Sequence, residues 1–292
     1  MSLIESVLSE AFQQLKLLSY RLGVVPVPYR PYLELKRQAQ AGAAAARLMC
    51  LRGVDSANVF DDAFIRFALQ RWSEGWSQYC QDKFVLFCVG EQMRGVFCEF
   101  GGADGLTHSN TALLESQHGW SGLLIEPNPF EFPLLRRNRP RCKVQHAAVK
   151  CSSADTVDLV ICGQLSSVAG FEGADAHGFA RRQSRVRRRV KCVELEDAIV
   201  AAGFGGRELD YLSADSEGSE LEILSRFSFE YIPRVITLET NARGADEAAI
   251  RKLLNSKGMR EMLSRELTGP DLWFVREDTY SAVRARLDGI RL

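Results

Sequence analysis

The stretch VFCEFGGADGLTHSN, residues 96–110, decides the fold of this 292-residue chain. A short apolar run that contains Glu99 leads into a turn with Gly101, Gly102 and Gly105, and then into a polar segment typical of a helix start. Glycines let a backbone approach a ligand closely, and the free N–H groups of the helix start can face it. The spacing is E-x-G-x-x-x-G, without the dinucleotide fingerprint or the Lys-Ser/Thr of a phosphate cradle. The turn therefore predicts a site for a small nucleoside without phosphate groups.

A second acidic residue follows the next apolar run, GLLIEPN. Its Glu126 lies 21 residues after Gly105, near the spacing at which an acidic residue accepts hydrogen bonds from ribose hydroxyls. We expect Asn110, at the predicted helix start, to line the same site. A cationic nucleoside such as S-adenosylmethionine fits these residues, because Glu99 can face its amino group while Glu126 holds the ribose.

The rest of the chain indicates an α/β fold with an appended segment. From Gly95 onward, short apolar runs alternate with helical segments, which is typical of βαβ units in a parallel sheet. Residues 258–278 predict two strands joined by a turn at 268–270. We therefore expect a Rossmann-like, mostly parallel sheet of seven strands with an antiparallel C-terminal hairpin in residues 77–292, preceded by a helical extension in residues 1–76.

Helical periodicity in the extension predicts helices near residues 4–22, 36–53 and 61–76. One interpretation is a helical cap packed on the main domain. The alternatives are a dimer interface, giving a homodimer through the N-terminal helices, or a lid over the substrate.

A third group of carboxylates occurs in ELDYLSADSEGSELEIL, residues 208–224. Helix capping suffices to explain Glu220. Asp215 and Glu217 follow a strand end, where ligands of open α/β folds bind, and one of them could accept a hydroxyl proton. The fifth strand likewise ends near Glu239 and Asn241, so a divalent site for Mg²⁺ formed by Asp215, Glu239 and Asn241 is an alternative.

Two further features are open to more than one interpretation. His146 follows the third predicted strand, where it could act as a base or be structural. The run RRQSRVRRRVK holds seven cationic residues between positions 181 and 191. It is either a solvated face or, through Arg187, Arg188 and Arg189, a binding surface for an acidic substrate.

The ordered motifs resemble those of the FkbM-type S-adenosylmethionine-dependent methyltransferases. The resemblance covers residues 77–278 and rests on SQYCQD, VFCEFGGADG, SNTALLES, GWSGLLIEPNP, QHAAV and YLSADSEGSELEIL. It implies the class I methyltransferase fold, S-adenosylmethionine as donor, and O-methylation of a sugar or natural-product hydroxyl. By motif, it implies that Glu99, Gly101 and Gly105 line the donor site, that Glu126 holds the ribose, and that Asp215 with Glu217 faces the reacting centre. The family's usual Asp and Ala are replaced by Glu99 and Gly102.

Composition limits the other expectations. Basic and acidic residues both number 37, so no net charge attracts nucleic acid or anionic lipid, and we expect neither as a partner. The eight cysteines lack paired or zinc-like spacing, and no segment is apolar enough to span a bilayer, which predicts a cytoplasmic protein. The expected partner is a small-molecule or glycan acceptor, with a phosphorylated or nucleotide-linked compound as one acidic form. The alternative outside catalysis is a binding module that keeps the fold without the reaction.

Overall fold

The structure is a computed structural model that describes residues 30–51, 58–171, 178–184, 186–230, 232–240 and 244–290. The helix predicted near residues 4–22 lies outside the described residues. Within them, no helix combines the length and the apolar character that crossing a bilayer requires.

Eleven strands occur in the described residues. In chain order they are β1 Val96–Phe100, β2 Ser121–Ile125, β3 Lys143–Gln145, β4 Ala148–Val149, β5 Thr156–Val160, β6 Ser167–Val168, β7 Arg187–Val193, β8 Tyr211–Ala214, β9 Val235–Glu239, β10 Met259–Glu261 and β11 Asp271–Arg276.

The described α-helices alternate with these strands after an N-terminal group of three. They are α1 Arg30–Leu51, α2 Val59–Gln70, α3 Gln81–Val89, α4 Ala112–His118, α5 Phe132–Asn138, α6 Gly178–Gln183, α7 Leu195–Ile199, α8 Glu220–Arg226, α9 Gly244–Ser256, α10 Arg265–Thr268 and α11 Glu277–Ile290.

Seven strands form the main sheet in the order β10-β11-β9-β8-β1-β2-β3. Strands β3, β2, β1, β8 and β9 are parallel, whereas β11 is antiparallel to both of its neighbours, β9 and β10. The predicted seven-stranded sheet with an antiparallel C-terminal hairpin is therefore confirmed. Because β11 runs backwards, its first residue, Asp271, lies opposite Glu239 at the end of β9. The carboxyl edge of the parallel strands thus includes the start of β11.

The two faces of the main sheet are buried in separate apolar clusters, because alternate side chains of a strand point to opposite faces. Phe97, Tyr211, Val235 and Trp273 pack with Ala44 and Leu48 of α1 and with residues of α2 and α3. The alternate residues Cys98, Leu212, Ile236 and Leu272 pack with α7, α8 and α9 on the other face. The N-terminal helices therefore share a core with the sheet. The domain boundary after residue 76 stays a prediction.

Helix α2 begins close to its predicted start at residue 61 but ends at Gln70, before the predicted end at residue 76. The side chain of Asn58 accepts a hydrogen bond from the Phe60 backbone N–H at 3.0 Å, which caps the helix, and Asp61 and Asp62 lie in its first turn. Acidic residues are stabilised there by the helix dipole.

A second, smaller sheet has the order β4-β7-β5-β6. It was not predicted from the sequence, because β7 is mostly basic and only Val190 is fully buried among its first five residues. Val190 packs with Leu159 and Val168 of the neighbouring strands. This sheet places the arginine run on a strand and supplies an apolar wall to the site described next.

Candidate active site

A cleft opens where β1, β2 and β8 end, with about 570 Å³ of empty space counted out to its solvent-open mouth. Four residues predicted from the sequence line it: Gly101, Glu126, Asp215 and Glu217. Leu159 and Val168 of the smaller sheet line its apolar side. A site with one apolar wall and a few convergent polar groups is the usual form of a small-molecule site.

The glycine turn after β1 requires its glycines for different reasons. Gly101 has φ +80°, and a Cβ there would lie 1.7 Å from the carbonyl oxygen of Asp215. Gly105 also has φ +80°, and its Cβ would lie 2.8 Å from Cγ of Arg139. Gly102 has no such backbone constraint, and its Cβ would press on Leu135 at 3.0 Å. The turn is therefore in direct contact with the end of β8 and with α5.

Glu99 is buried and faces the start of α4. Its carboxylate accepts hydrogen bonds from the Asn110 backbone N–H (3.1 Å) and from the hydroxyls of Ser109 (3.3 Å) and Thr111, and Nη1 of Arg139 lies 3.9 Å away. Glu99 is not among the residues that line the cleft. Its predicted contact with the amino group of the donor stays a prediction.

Arg139 is a supporting residue that the sequence analysis missed. It is 2% exposed and donates hydrogen bonds to the Gly105 carbonyl and the Ser109 hydroxyl, both at 3.1 Å, and to Glu115. A buried guanidinium with these partners fixes the glycine turn against α4. No local pattern in the segment NRPR could have revealed this role.

Glu126 lies in the cleft with both carboxylate oxygens bonded to backbone. The N–H groups of Ala103 and Asn128 each donate to it at 2.7 Å. Burial raises the pKa of Glu126 to about 8, opposed by these two hydrogen bonds and reinforced by Glu131 and Asp215. Each oxygen keeps a lone pair for a further hydrogen bond. The arrangement fits a ribose diol, whose hydroxyls can both donate.

Asp215, Glu217 and Glu239 form a carboxylate cluster at the ends of β8 and β9, with one oxygen of each within 4.8 Å of the others. Burial raises the pKa of both Asp215 and Glu239, and the pKa of Glu239 is raised further by Asp215 and Glu217. Two close buried carboxylates hold one proton between them more readily than two negative charges. The proximity of the two carboxylates therefore favours one proton shared by Asp215 and Glu239.

Glu217 pairs with Arg181, a side chain that is 0% exposed. Arg181 also donates from Nε to the Leu165 carbonyl at 2.7 Å. Glu217 has φ +58°, a left-handed conformation that non-glycine residues seldom adopt and that functional sites often hold. Within the arginine run, the solvated-face interpretation is wrong for Arg181, because its guanidinium neutralises a carboxylate of the cleft.

Glu220 lies in the first turn of α8, and its carboxylate binds the segment before the helix in place of the predicted capping role. It accepts hydrogen bonds from the Ser216 N–H and hydroxyl, both at 2.7 Å, and from the Gly218 N–H at 3.3 Å. These partners hold the segment that carries Asp215 and Glu217.

The remaining predicted site residues are not among those that line the cleft, or they fall outside the described residues. His146 is exposed, its ring stacks on Phe132 at 4.8 Å, and its Nε2 lies 3.1 Å from the Pro127 carbonyl. Arg187, Arg188 and Arg189 are exposed on β7, where Arg189 pairs with Asp158 at 3.1 Å. Asn241, the third ligand of the alternative Mg²⁺ site, lies outside the described residues.

The sheet order and the carboxylate-lined cleft at its carboxyl edge define a class I methyltransferase. The chain belongs to the family of the methyltransferase FkbM domain, whose sequence profile matches residues 99–261. It is therefore an S-adenosylmethionine-dependent methyltransferase. The cleft fits this donor, since the Gly101 position leaves no room for a side chain and Glu126 presents free lone pairs beside it.

Solved structures with a similar fold are distant. The METTL16 MTase domain matches with a TM-score of 0.38 and 12% identity, over 66% of this chain and 64% of that chain, which is less than two thirds of its length. The N-terminal domain of human METTL16 in complex with SAH matches at 0.36 and 12%, over 66% of each chain. The catalytic domain of hMettl16 in complex with MAT2A 3'UTR hairpin 1 matches at 0.36 and 9%, over 75% of this chain and 81% of that chain. No curated protein matches the chain significantly.

The expectation that excluded nucleic acid as a partner is wrong. The last of these structures is a methyltransferase catalytic domain in complex with an RNA hairpin. A net charge of zero describes the whole chain and says nothing about local basic surfaces such as β7, so it was not a sound basis for the exclusion.

Proposed function

We propose that the protein methylates a hydroxyl oxygen, with a sugar or a natural product as the acceptor. The observation that carries this proposal is the proximity of Glu239 to Asp215, a carboxylate that lines the cleft. We also propose a cytoplasmic location, as expected from the spacing of the cysteines.

When bound, S-adenosylmethionine supplies a methyl group on a positively charged sulfur, which keeps the electron pair of the broken C–S bond. Glu126 binds the ribose hydroxyls and so fixes the direction of the methyl group. Asp215 orients the acceptor hydroxyl and takes its proton on a carboxylate oxygen as the oxygen–carbon bond forms. Glu239 donates its shared proton to Asp215 in a hydrogen bond and limits the negative charge of the pair.

Incubation with methyl-labelled S-adenosylmethionine and a panel of hydroxyl compounds tests the proposal. We expect label in a methyl ether, identified by mass spectrometry and NMR. Label found only on nitrogen or carbon would contradict it.

A Mg²⁺-dependent reaction is the second candidate, favoured by the proximity of the three carboxylates. Carboxylate oxygens are suitable ligands for this ion. The ion pair between Arg181 and Glu217 argues against it, because a buried cation already neutralises one of the three.

We therefore expect a chelator to leave turnover unchanged. Initial rates measured with EDTA, and then with excess Mg²⁺, should agree with the untreated rate within about twofold. A rate that vanished with EDTA and returned with Mg²⁺ would replace the metal-free mechanism with the Mg²⁺-dependent one.

The arginines of β7 provide a prediction about a phosphorylated or nucleotide-linked acceptor. The Arg188 guanidinium carbon lies 5.7 Å from the ring centre of Phe130, the residue before Glu131, which lines the cleft. Replacing Arg187, Arg188 and Arg189 with Gln should raise the acceptor KM, by about threefold to tenfold, and leave donor affinity unchanged.

A matched control separates this local effect from the loss of net charge. Replacing Arg66, Arg260 and Arg284 with Gln removes the same charge from other exposed positions. Equal KM values in the two triple variants would show that the β7 arginines form a solvated surface and do not bind the acceptor.

A further inference from the structure

Two walls of the cleft come from separate sheets. One wall is the segment after β8, residues 215–217, and another is the loop after β5, with residues 163, 164 and 166. Strand β8 belongs to the main sheet and β5 to the smaller one, and among the described residues no strand pairing joins the two sheets. The distance between these walls therefore depends on loops and side chains.

Arg181 of α6 bonds to both walls. Its Nη2 donates to the Glu217 carboxylate, and its Nε donates to the Leu165 carbonyl at 2.7 Å. Leu165 lies between Gln164 and Ser166, which both line the cleft. The Arg181 side chain is fully buried, so water does not compete for these bonds. Because a planar guanidinium holds its N–H groups in fixed directions, it forms a rigid link between the two walls.

Asn128 holds the same loop from another direction. Its Nδ2 donates to the Gly163 carbonyl at 3.2 Å and to Oγ of Ser166 at 3.1 Å. The backbone N–H of Asn128 donates to the Glu126 carboxylate at 2.7 Å. The loop is therefore bonded through Asn128 to the segment that carries Glu126, and through the Arg181 guanidinium to the segment after β8.

Arg181 also places a permanent positive charge behind the wall that carries Glu217. A guanidinium stays protonated in proteins, so Arg181 and Glu217 form a pair without net charge. S-adenosylmethionine has a positively charged sulfur, whereas the sulfur of S-adenosylhomocysteine is neutral. The charge balance of this pair therefore acts differently on the two ligands.

We propose that Arg181 is a positioning residue of the donor site, which fixes the spacing of the two walls through its two bonds and neutralises Glu217. Arg181 is not among the residues that line the cleft, so it acts through Glu217 and the loop. This inference goes beyond the proposed function, because it holds whichever atom of the acceptor receives the methyl group.

The Arg181→Lys variant tests the two bonds, because a Lys ammonium keeps the charge but lacks the fork of the guanidinium. The Kd for S-adenosylhomocysteine, measured by calorimetry, should rise by about threefold to tenfold as the walls lose their fixed spacing. Arg182→Lys is the matched control, since Arg182 is the next residue of α6 and is exposed. Its Kd should stay within about twofold of the parent value.

The ratio of the Kd for S-adenosylmethionine to that for S-adenosylhomocysteine tests the charge balance. Glu217→Gln keeps an oxygen that accepts from Arg181 but leaves the buried positive charge unbalanced, so the ratio should rise by about threefold to tenfold. Adding Arg181→Met removes this charge and should return the ratio to within about twofold of the parent value. We expect the double variant to fold, because uncharged replacements of a buried ion pair are well tolerated.

A purely structural role would change the affinity for both ligands equally and leave the ratio constant. The inference is overturned by an unchanged Kd in Arg181→Lys, by a constant ratio in Glu217→Gln, or by a ratio that stays raised in the double variant. Failure of the parent protein to bind S-adenosylhomocysteine would instead contradict the donor site itself, and label found only on nitrogen or carbon would contradict the proposed function alone.

Discussion

Replacing Asp215 with Asn should lower the turnover number on the order of 10²-fold or more, while the affinity for the donor stays nearly constant. The Asn side chain keeps the shape of Asp215 but cannot accept the acceptor proton, and loss of a general base has effects of this size. Turnover is measured with the acceptor at saturating donor, and donor affinity by calorimetry with S-adenosylhomocysteine.

Glu239→Gln is the informative partner variant. If Glu239 carries the shared proton, a Gln amide replaces that donor, and turnover should fall much less than in Asp215→Asn. Similar large losses in both variants would favour a role for both carboxylates as ligands. Near-normal turnover in Asp215→Asn would move the catalytic role to Glu217, which also lines the cleft.

Replacing Glu126 with Ala should weaken donor binding by about 1.5–3 kcal/mol, which corresponds to roughly 10- to 150-fold in Kd. The loss arises because two ribose hydroxyls would no longer donate to a charged group. Calorimetric titration with S-adenosylhomocysteine measures it directly. Unchanged affinity would show that Glu126 serves only to hold the backbone of Ala103 and Asn128.

Because the pKa of Glu126 is raised, the affinity for S-adenosylhomocysteine should depend on pH. Below about 8 the carboxyl group of the free protein is mostly protonated, and the ribose hydroxyls bind its ionised form. S-adenosylhomocysteine should therefore bind more tightly as the pH rises from 6.5 toward 8, by at most about tenfold per unit, with a plateau above that range. Glu126→Gln should remove this slope, whereas a flat profile in the parent protein would contradict the assignment.

The donor side of the site could be predicted from the sequence because its residues are local to strand ends. Glu126 and Asp215 each end an apolar run, and parallel strands bring such positions to one edge whatever the loops between them do. The closing hairpin was predictable for the same reason, from two apolar runs and a turn. The one-turn helix α10 within that connection was not predicted.

The ion pair between Arg181 and Glu217 could not be predicted in this way. Arg181 looked like one member of a surface run. Its burial depends on Glu217, which is 36 residues away in the chain. Pairings of this kind follow from tertiary packing and leave no periodic signal.

The described N-terminal helices and the sheet share one apolar core, so the helices are not an independent module. Phe64 of α2 contacts Trp273 of β11 edge to face, with ring centres 5.9 Å apart, and both side chains are fully buried. A shortened chain beginning at residue 77 would uncover the Trp273 side of the sheet, and each large side chain left exposed costs ~1.5–3 kcal/mol. The described N-terminal helices, which precede the matched profile, are therefore part of the core of the domain and not a detachable accessory.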